Sequence, residues 1–362
     1  RDSPVMPHGI GDDYYDPKTE PDSDINCVIF WEYRLTTTLY KYIPPVLIIT
    51  GTCLNSLTIT VLLKRKFGKS STRILLIVIA VADTAVLWTG LLRHWLLYTI
   101  DLDVRLLTDL ACPVHFFFTS FFNHFSSWTI MLLTIERCIS VTFPIKARII
   151  CTGKWTIVTI TAVFSILFIL NSHILMFYRI DPESPRAAFG ILCFPTTENY
   201  QKFWANIWSW IDLLSSSFIP FLVIILCNCS ILHQVILSNK KRKSLQHPGQ
   251  GAESQTAQMM SMTYMLATVS IVFIVLTLPE RMYLLFVFIF NTDFTLQQRI
   301  RLILAHCFTI SFQYTNNTIN FLLYCVSGTQ FRTEVYRINA SEYNTCSGEN
   351  TIFFTDSAKI NT

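Results

Sequence analysis

The sequence predicts an all-α membrane protein, a seven-transmembrane helix bundle with a short amphipathic eighth helix. Three observations carry this. Charged residues make up 14% of the 362-residue chain and hydrophobic ones 51%, whereas a soluble domain averages roughly 25% charged. Apolar segments of about 20 residues recur, each enough to cross ~30 Å of hydrocarbon. Connections rich in Lys and Arg alternate with mixed or acidic ones, as the preference of positive residues for the cytoplasmic side requires. The net charge of +4 is mild and gives no support to nucleic-acid binding.

Residues 1–38 hold Asp12, Asp13, Asp16, Glu20, Asp22 and Asp24 among Pro and Gly. They read as an extracellular acidic tail, largely disordered, either a solvated leader or an attractant for a basic ligand. No secretory signal opens the chain, and a start at Arg1 without Met is what a fragment would show. Spans are expected at 39–63, 72–99, 106–140, 154–178, 203–237, 259–290 and 299–326, within a transmembrane domain of 39–326.

Lys64, Arg65, Lys66, Lys69 and Arg73 lie between the first two spans, Lys146, Arg148 and Lys154 between the third and fourth, and Lys240–Lys243 between the fifth and sixth. The amino terminus is therefore expected outside a plasma membrane and the carboxyl terminus inside. Residues 238–258 carry Pro248, Gly249 and Gly251 and read as a mobile loop. Within the cytoplasmic segment 327–362, residues 329–338 place Phe331, Val335 and Ile338 on one face, the pattern of a short helix lying on the bilayer.

Charge inside an apolar helix is expensive unless it is paired or reaches an interface. Two places meet that condition. Glu136 and Arg137 close the apolar run that begins at Ser126, where a cation can simply snorkel to water or serve a switch. Asp83, in IVIAVADTAVLW, must be protonated, paired or bound to a cation.

An enzyme reading needs a nucleophile–base pair, a metal-ligand cluster or a phosphate loop, and none is visible; no C-x-x-C pair suggests zinc. A transporter would favour inverted repeats and broken helices. Seven is odd, no repeat is evident, and the chain has only 11 glycines, so a transporter is the remote alternative.

Between about 40 and 338 the chain resembles the rhodopsin-like G-protein-coupled receptors. The residues that carry the likeness are Asn55 in GTCLNSL, Asp83 in IAVAD, Cys112 and then Arg137 in ERC, Pro144, Cys193, Pro220, Phe273 with Pro279, and Asn320 with Tyr324. Each is weak alone; their order and spacing together are specific. LCNCSI, NFLLYC and the short third inner loop look most like invertebrate neuropeptide receptors of the FMRFamide type. The chain departs from the pattern at Thr277, Asn228, Phe321 and Cys138, where tryptophan, tyrosine, proline and tyrosine are usual, and Trp155 lies at the start of its span rather than mid-way.

The resemblance implies a receptor that binds an extracellular ligand and activates a heterotrimeric G protein, with arrestin and receptor-kinase partners. An orphan chemosensory receptor or a relative that binds without coupling is the alternative. Glu136, Arg137, Cys138, Asn320 and Tyr324 would form the G-protein switch. No carboxylate lies near Met259, so a lock from the third to the sixth helix is expected to be missing. Asn55, Asp83, Ser126, Asn316 and Asn320 would form a polar network that holds a sodium ion or, with Asp83 neutral, water.

Cys112 and Cys193 would pair, and Cys27 with Cys307 is a second candidate bridge. Thr119, where amine receptors carry aspartate, and the lack of a mid-membrane lysine in the seventh span exclude an amine and retinal. The ligand site implied is Thr119, Asn123, Trp208, Asp212, Glu280, Arg281 and His306, with His115, Trp204 and Arg299 nearby. It suits a peptide carrying a cation and aromatic rings, such as an Arg-Phe-amide ending. Alternatively, Glu280 and Arg281 pair with each other or with Arg299.

Overall fold

The computed structural model describes residues 26–63, 70–180, 193–244, 250–289, 295–327, 331–333 and 335. Among them, long helices follow one another in the expected order. The first is Asn26–Leu63. The second runs as Ser70–Val86, a π-turn Leu87–Leu91 and Leu92–Ile100, and the third is Ala111–Thr142. The fourth is Gly153–Asn171 continued by His173–Phe177. The fifth passes from Glu198 to Ser244 through π-turns at Trp204–Trp208 and Leu214–Phe218; the sixth is Gln250–Ile289 and the seventh Leu296–Ser327.

Two boundaries differ from expectation. Residues 26–38, assigned by composition to a disordered tail, form the first turns of the first helix. Glu32, Thr36 and Tyr40 recur there every four residues and are all buried, and Arg301 of the seventh helix donates to Glu32 at 2.9 Å. Residues 1–25 lie outside the described set. The loop expected over 238–258 is mostly helix as well. The fifth helix continues to Ser244 and the sixth begins at Gln250, where Gln, Ala and Glu are good helix formers that tolerate Gly251.

Among the described residues, five helices are long and apolar enough to cross a membrane, namely Trp31–Leu63, Ser71–Ile100, Gly153–Phe177, Glu198–Leu237 and Tyr264–Val287. The third and seventh, 32 residues each, are long enough but more polar. That polarity faces inward: His124, Ser126, Thr134, Gln313, Asn316, Asn317 and Asn320 are all buried. These two helices form the polar axis of the bundle, and the apolar helices cover it.

Phenylalanines bind the third helix to the fourth. Phe117, Phe121 and Phe125 stack at 5.8 Å intervals, and Phe164 and Phe168 meet them edge-on. Their one-turn spacing is what lets them form a ladder. Of the segment expected to lie on the bilayer after Gly328, residues 331–333 and 335 are described as helix. Phe331 is fully buried against Phe321 and Tyr324.

Candidate ligand cavities and signalling site

One end of the bundle is closed by a disulfide. Cys112, in the first turn of the third helix, is bonded to Cys193. Cys193 opens strand β2 (Cys193–Pro195), which pairs antiparallel with β1 (Tyr178–Ile180). The hairpin is packed from both sides, because the Tyr178 ring lies 4.8 Å from Phe116 and 5.0 Å from Trp204. Cys307, expected as a candidate for a second bridge, is a buried free thiol; it points into the bundle beside Tyr40 and Ser311. The side chain of Cys27 lies outside the described residues.

Beneath the hairpin are two adjoining cavities. The larger, about 230 Å³, lies among the second, third, sixth and seventh helices and is lined by Thr119, Asn123, Glu280, Arg281 and His306. The smaller, about 170 Å³, lies against the fifth helix and is lined by Trp204, Trp208 and Asp212. Phe116, Thr119, Asn123, Arg281 and Leu284 belong to both. All seven ligand residues expected from the sequence therefore line one continuous region, as do His115 and Trp204. Arg299 lines neither cavity.

The cavity walls are held by specific contacts. Glu280 is buried; it accepts a hydrogen bond from Thr309 at 2.6 Å and lies 3.5 Å from His306. Those partners differ from the Arg281 and Arg299 pairing left open above. His306 also meets the Tyr40 hydroxyl at 3.1 Å, so the sixth, seventh and first helices are linked through one carboxylate. Across the larger cavity, Gln313 donates to Asn123 at 2.8 Å. In the smaller cavity His124 lies 2.9 Å from Ser215 and 3.5 Å from Asp212, and Trp208 packs edge-on against His173. The π-turn at Trp204–Trp208 advances the helix face by one residue, which brings both tryptophans into the bundle.

Sequence reasoning missed the rim of the larger cavity. Asp103 lies between Arg93 at 3.2 Å and Arg105 at 2.7 Å. Burial pushes the Asp103 carboxyl up, but the hydrogen bond from Arg105 and the charges of both guanidiniums outweigh it and hold the group well below the usual carboxylate range. Arg105 also stands over the Phe116 ring at 5.4 Å. Gly90 completes this wall, where a Cβ would collide with the Tyr314 hydroxyl.

Mid-bundle, Asp83 is fully buried. It accepts from Ser126 and Asn317 on Oδ1 and from Asn320 on Oδ2, each at 2.7 Å. The second asparagine is therefore Asn317 and not the expected Asn316. Gln313, Asn317 and Asn320 recur at four and three residues, which puts them on one face; Asn316 lies beside it. Asn55 donates to the Asn317 carbonyl at 3.1 Å. The side-chain carbonyl oxygens of Asn55, Asn316 and Asn320 are buried without a partner among the described residues.

At the far end, Arg137 Nη2 lies 3.4 Å from Glu136. Glu136 is held more firmly by the second helix: Ser71 donates to it at 2.7 Å and Thr72 at 3.1 Å, two anchors that the sequence reading did not single out. Cys138 lies 3.9 Å from Thr142. Tyr324 is buried. The third and sixth helices meet through hydroxyls, with Thr134 Oγ1 3.0 Å from Ser270 Oγ; the side chains near Met259, where a lock was expected to be missing, lie outside the described residues.

Residues 54–324 match the family described as "7 transmembrane receptor (rhodopsin family)". The chain belongs to the rhodopsin family of receptors. Like the rest of that family, this receptor is a multi-pass protein of the plasma membrane and not an enzyme. It is similar to cysteinyl leukotriene receptor 1 of Cavia porcellus, 24% identical over 64% of this chain and 66% of that one. It is also similar to the FMRFamide receptor of Drosophila melanogaster, 26% identical over 55% of this chain and 34% of that one. Galanin receptor type 2 of Mus musculus is 21% identical over 81% of this chain and 73% of its own. The receptor thus spans less than two thirds of the length of the leukotriene and FMRFamide relatives.

Proposed function

We propose that this receptor binds an extracellular peptide in the paired cavities and in response activates a heterotrimeric G protein, with arrestin and a receptor kinase as later partners. In this reading the disulfide end and the amino terminus face outward, and Arg137 and the carboxyl terminus face the cytoplasm. The observation that carries it is the division of labour between the cavities. A buried carboxylate, Glu280, stands in one, and two tryptophans line the other. A guanidinium or ammonium fits the first through charge-assisted hydrogen bonds, and an aromatic side chain fits the second.

The FMRFamide and galanin receptors among the relatives favour a peptide. The cysteinyl leukotriene receptors, together with Arg93, Arg105 and Arg281 on the walls, favour a second reading in which the ligand is a lipid-derived acid. A screen of amidated neuropeptides against cells expressing the chain decides between them. For a cationic peptide, Glu280→Gln is expected to weaken binding on the order of a hundredfold, the usual effect of removing one member of a buried charge pair. Unchanged affinity would remove Glu280 from the site.

We also propose a sodium ion as an allosteric ligand at Asp83. The carboxylate, the Ser126 hydroxyl and the bare carbonyl oxygens of Asn55, Asn316 and Asn320 are the hard oxygen donors that such an ion takes. The purified receptor should melt at a higher temperature in sodium than in potassium, because a ligand of the folded state stabilises it. Asp83→Asn should erase the difference. Equal melting of the wild type in the two salts would reject the ion.

Signalling would be a shift between two bundle states, with ligand favouring the open one. The sixth helix would tilt about Pro279, which lacks the N–H that a continuous helix needs at that turn.

A further inference from the structure

We propose that Gln313 makes the floor of the larger cavity a hydrogen-bond acceptor, so that the buried end of the ligand is an N–H donor such as a peptide carboxamide, and not a carboxylate. The proposal rests on the reading of that cavity as the ligand site, and it decides which chemistry the site admits.

Which end of each amide points where is settled by a backbone group. Asn123 Nδ2 lies 2.9 Å from the carbonyl oxygen of Thr119, which can only accept. The nitrogen of Asn123 is thereby fixed, and its Oδ1 is the atom turned toward Gln313 at 2.8 Å. That oxygen must be met by a donor, so Gln313 presents Nε2 to it. By exclusion, Oε1 is the other end of the Gln313 amide. It is buried and has no hydrogen-bond partner among the described residues. Exchanging O and N in either side chain would set two acceptors against each other.

Gln313 lines the cavity together with Glu280, and an ionised Glu280 also only accepts. A ligand group that reaches both residues must therefore supply protons. A carboxamide supplies two N–H bonds and keeps a carbonyl for Arg281, on the wall shared by the two cavities. A carboxylate supplies none and would face Oε1 oxygen to oxygen. A buried polar group denied its partner is penalised far more than a mean hydrogen bond contributes, so the selection is steep.

The test uses the full-length receptor in phospholipid nanodiscs. Its probes are two collections of short synthetic peptides, identical except for a carboxamide or a free carboxylate at the end, and a set of fatty-acid-derived carboxylates. Binding is read as displacement of a fluorescent member of whichever set binds. The amide of each binding pair is expected to be preferred by about tenfold or more, and Gln313→Leu should bring that ratio close to one while the receptor still reaches the cell surface. Free acids that bind as well as their amides to the wild type would overturn the acceptor floor and leave the receptor reading standing; that comparison needs no variant. Binding confined to the fatty-acid carboxylates would overturn the floor and the peptide reading together. Silence from all three sets would do the same.

Discussion

A receptor carrying Arg137→Ala is expected to bind its ligand with unchanged affinity and to lose ligand-stimulated nucleotide exchange on its G protein. Arg137 stands 44 residues from the cavity-wall residue Arg93 in sequence and shares no wall with either cavity. Its substitution leaves the cavities alone. At its own end it is a buried guanidinium whose ion pair, at 3.4 Å, is with a neighbour already held by Ser71 and Thr72. Glu136 is thus secured without Arg137, which leaves the guanidinium free to exchange partners when the bundle opens. Arg137→Lys should fail nearly as badly, because a lysine offers a point charge in place of a planar fork of donors. The measurement is nucleotide exchange in membranes at saturating ligand. Exchange within twofold of the wild type would take the switch role from this residue.

Loss of the Cys112–Cys193 bond should be the most damaging change to the cavity end of the bundle. The bond joins residues 81 apart in sequence, and removing a native disulfide typically costs about 2–5 kcal/mol. The effect is expected to reach the ligand as well as the fold, since β2 starts at Cys193 and its partner strand carries Tyr178 against Phe116 and Trp204. Cys193→Ser should therefore lower the melting temperature and weaken ligand binding together. A variant that melts lower but binds normally would separate the hairpin from the cavities.

The helices were legible because apolar length and charge alternation are properties of composition, which tertiary context does not alter. Boundaries were less so. The acidic residues between Asp12 and Asp24 drew residues 26–38 into the reading of an acidic tail, yet Glu32 is buried and meets Arg301, far away in sequence. The cavity lining was legible as residue types near helix ends, because Glu280, Trp208 and Asp212 are conspicuous in apolar surroundings. Its rim was not, since Asp103 is ordinary in a loop until two arginines converge on it.

Asn317 and Gln313 were available in principle, because counting by threes and fours from Asn320 places both on its face. Ser71 and Thr72 gave no such signal. A hydroxyl beside a basic connection is commonplace, and only the packing of the second helix on the third turns it toward Glu136.

The contact between Thr134 and Ser270 has a property that a charge pair would lack. Each hydroxyl also reaches the carbonyl one turn back in its own helix, Thr134 that of Ile130 and Ser270 that of Leu266, both at 2.9 Å. Two protons thus serve three acceptors, and while the helices touch, one proton must cross between them. When the sixth helix swings away, each hydroxyl keeps its own proton on its own helix, and no polar atom is stripped bare in the bilayer. Separation forfeits a single bond, of the ~0.6 kcal/mol average measured between membrane helices. The clasp is weak by construction, and both halves are already satisfied on the day it opens.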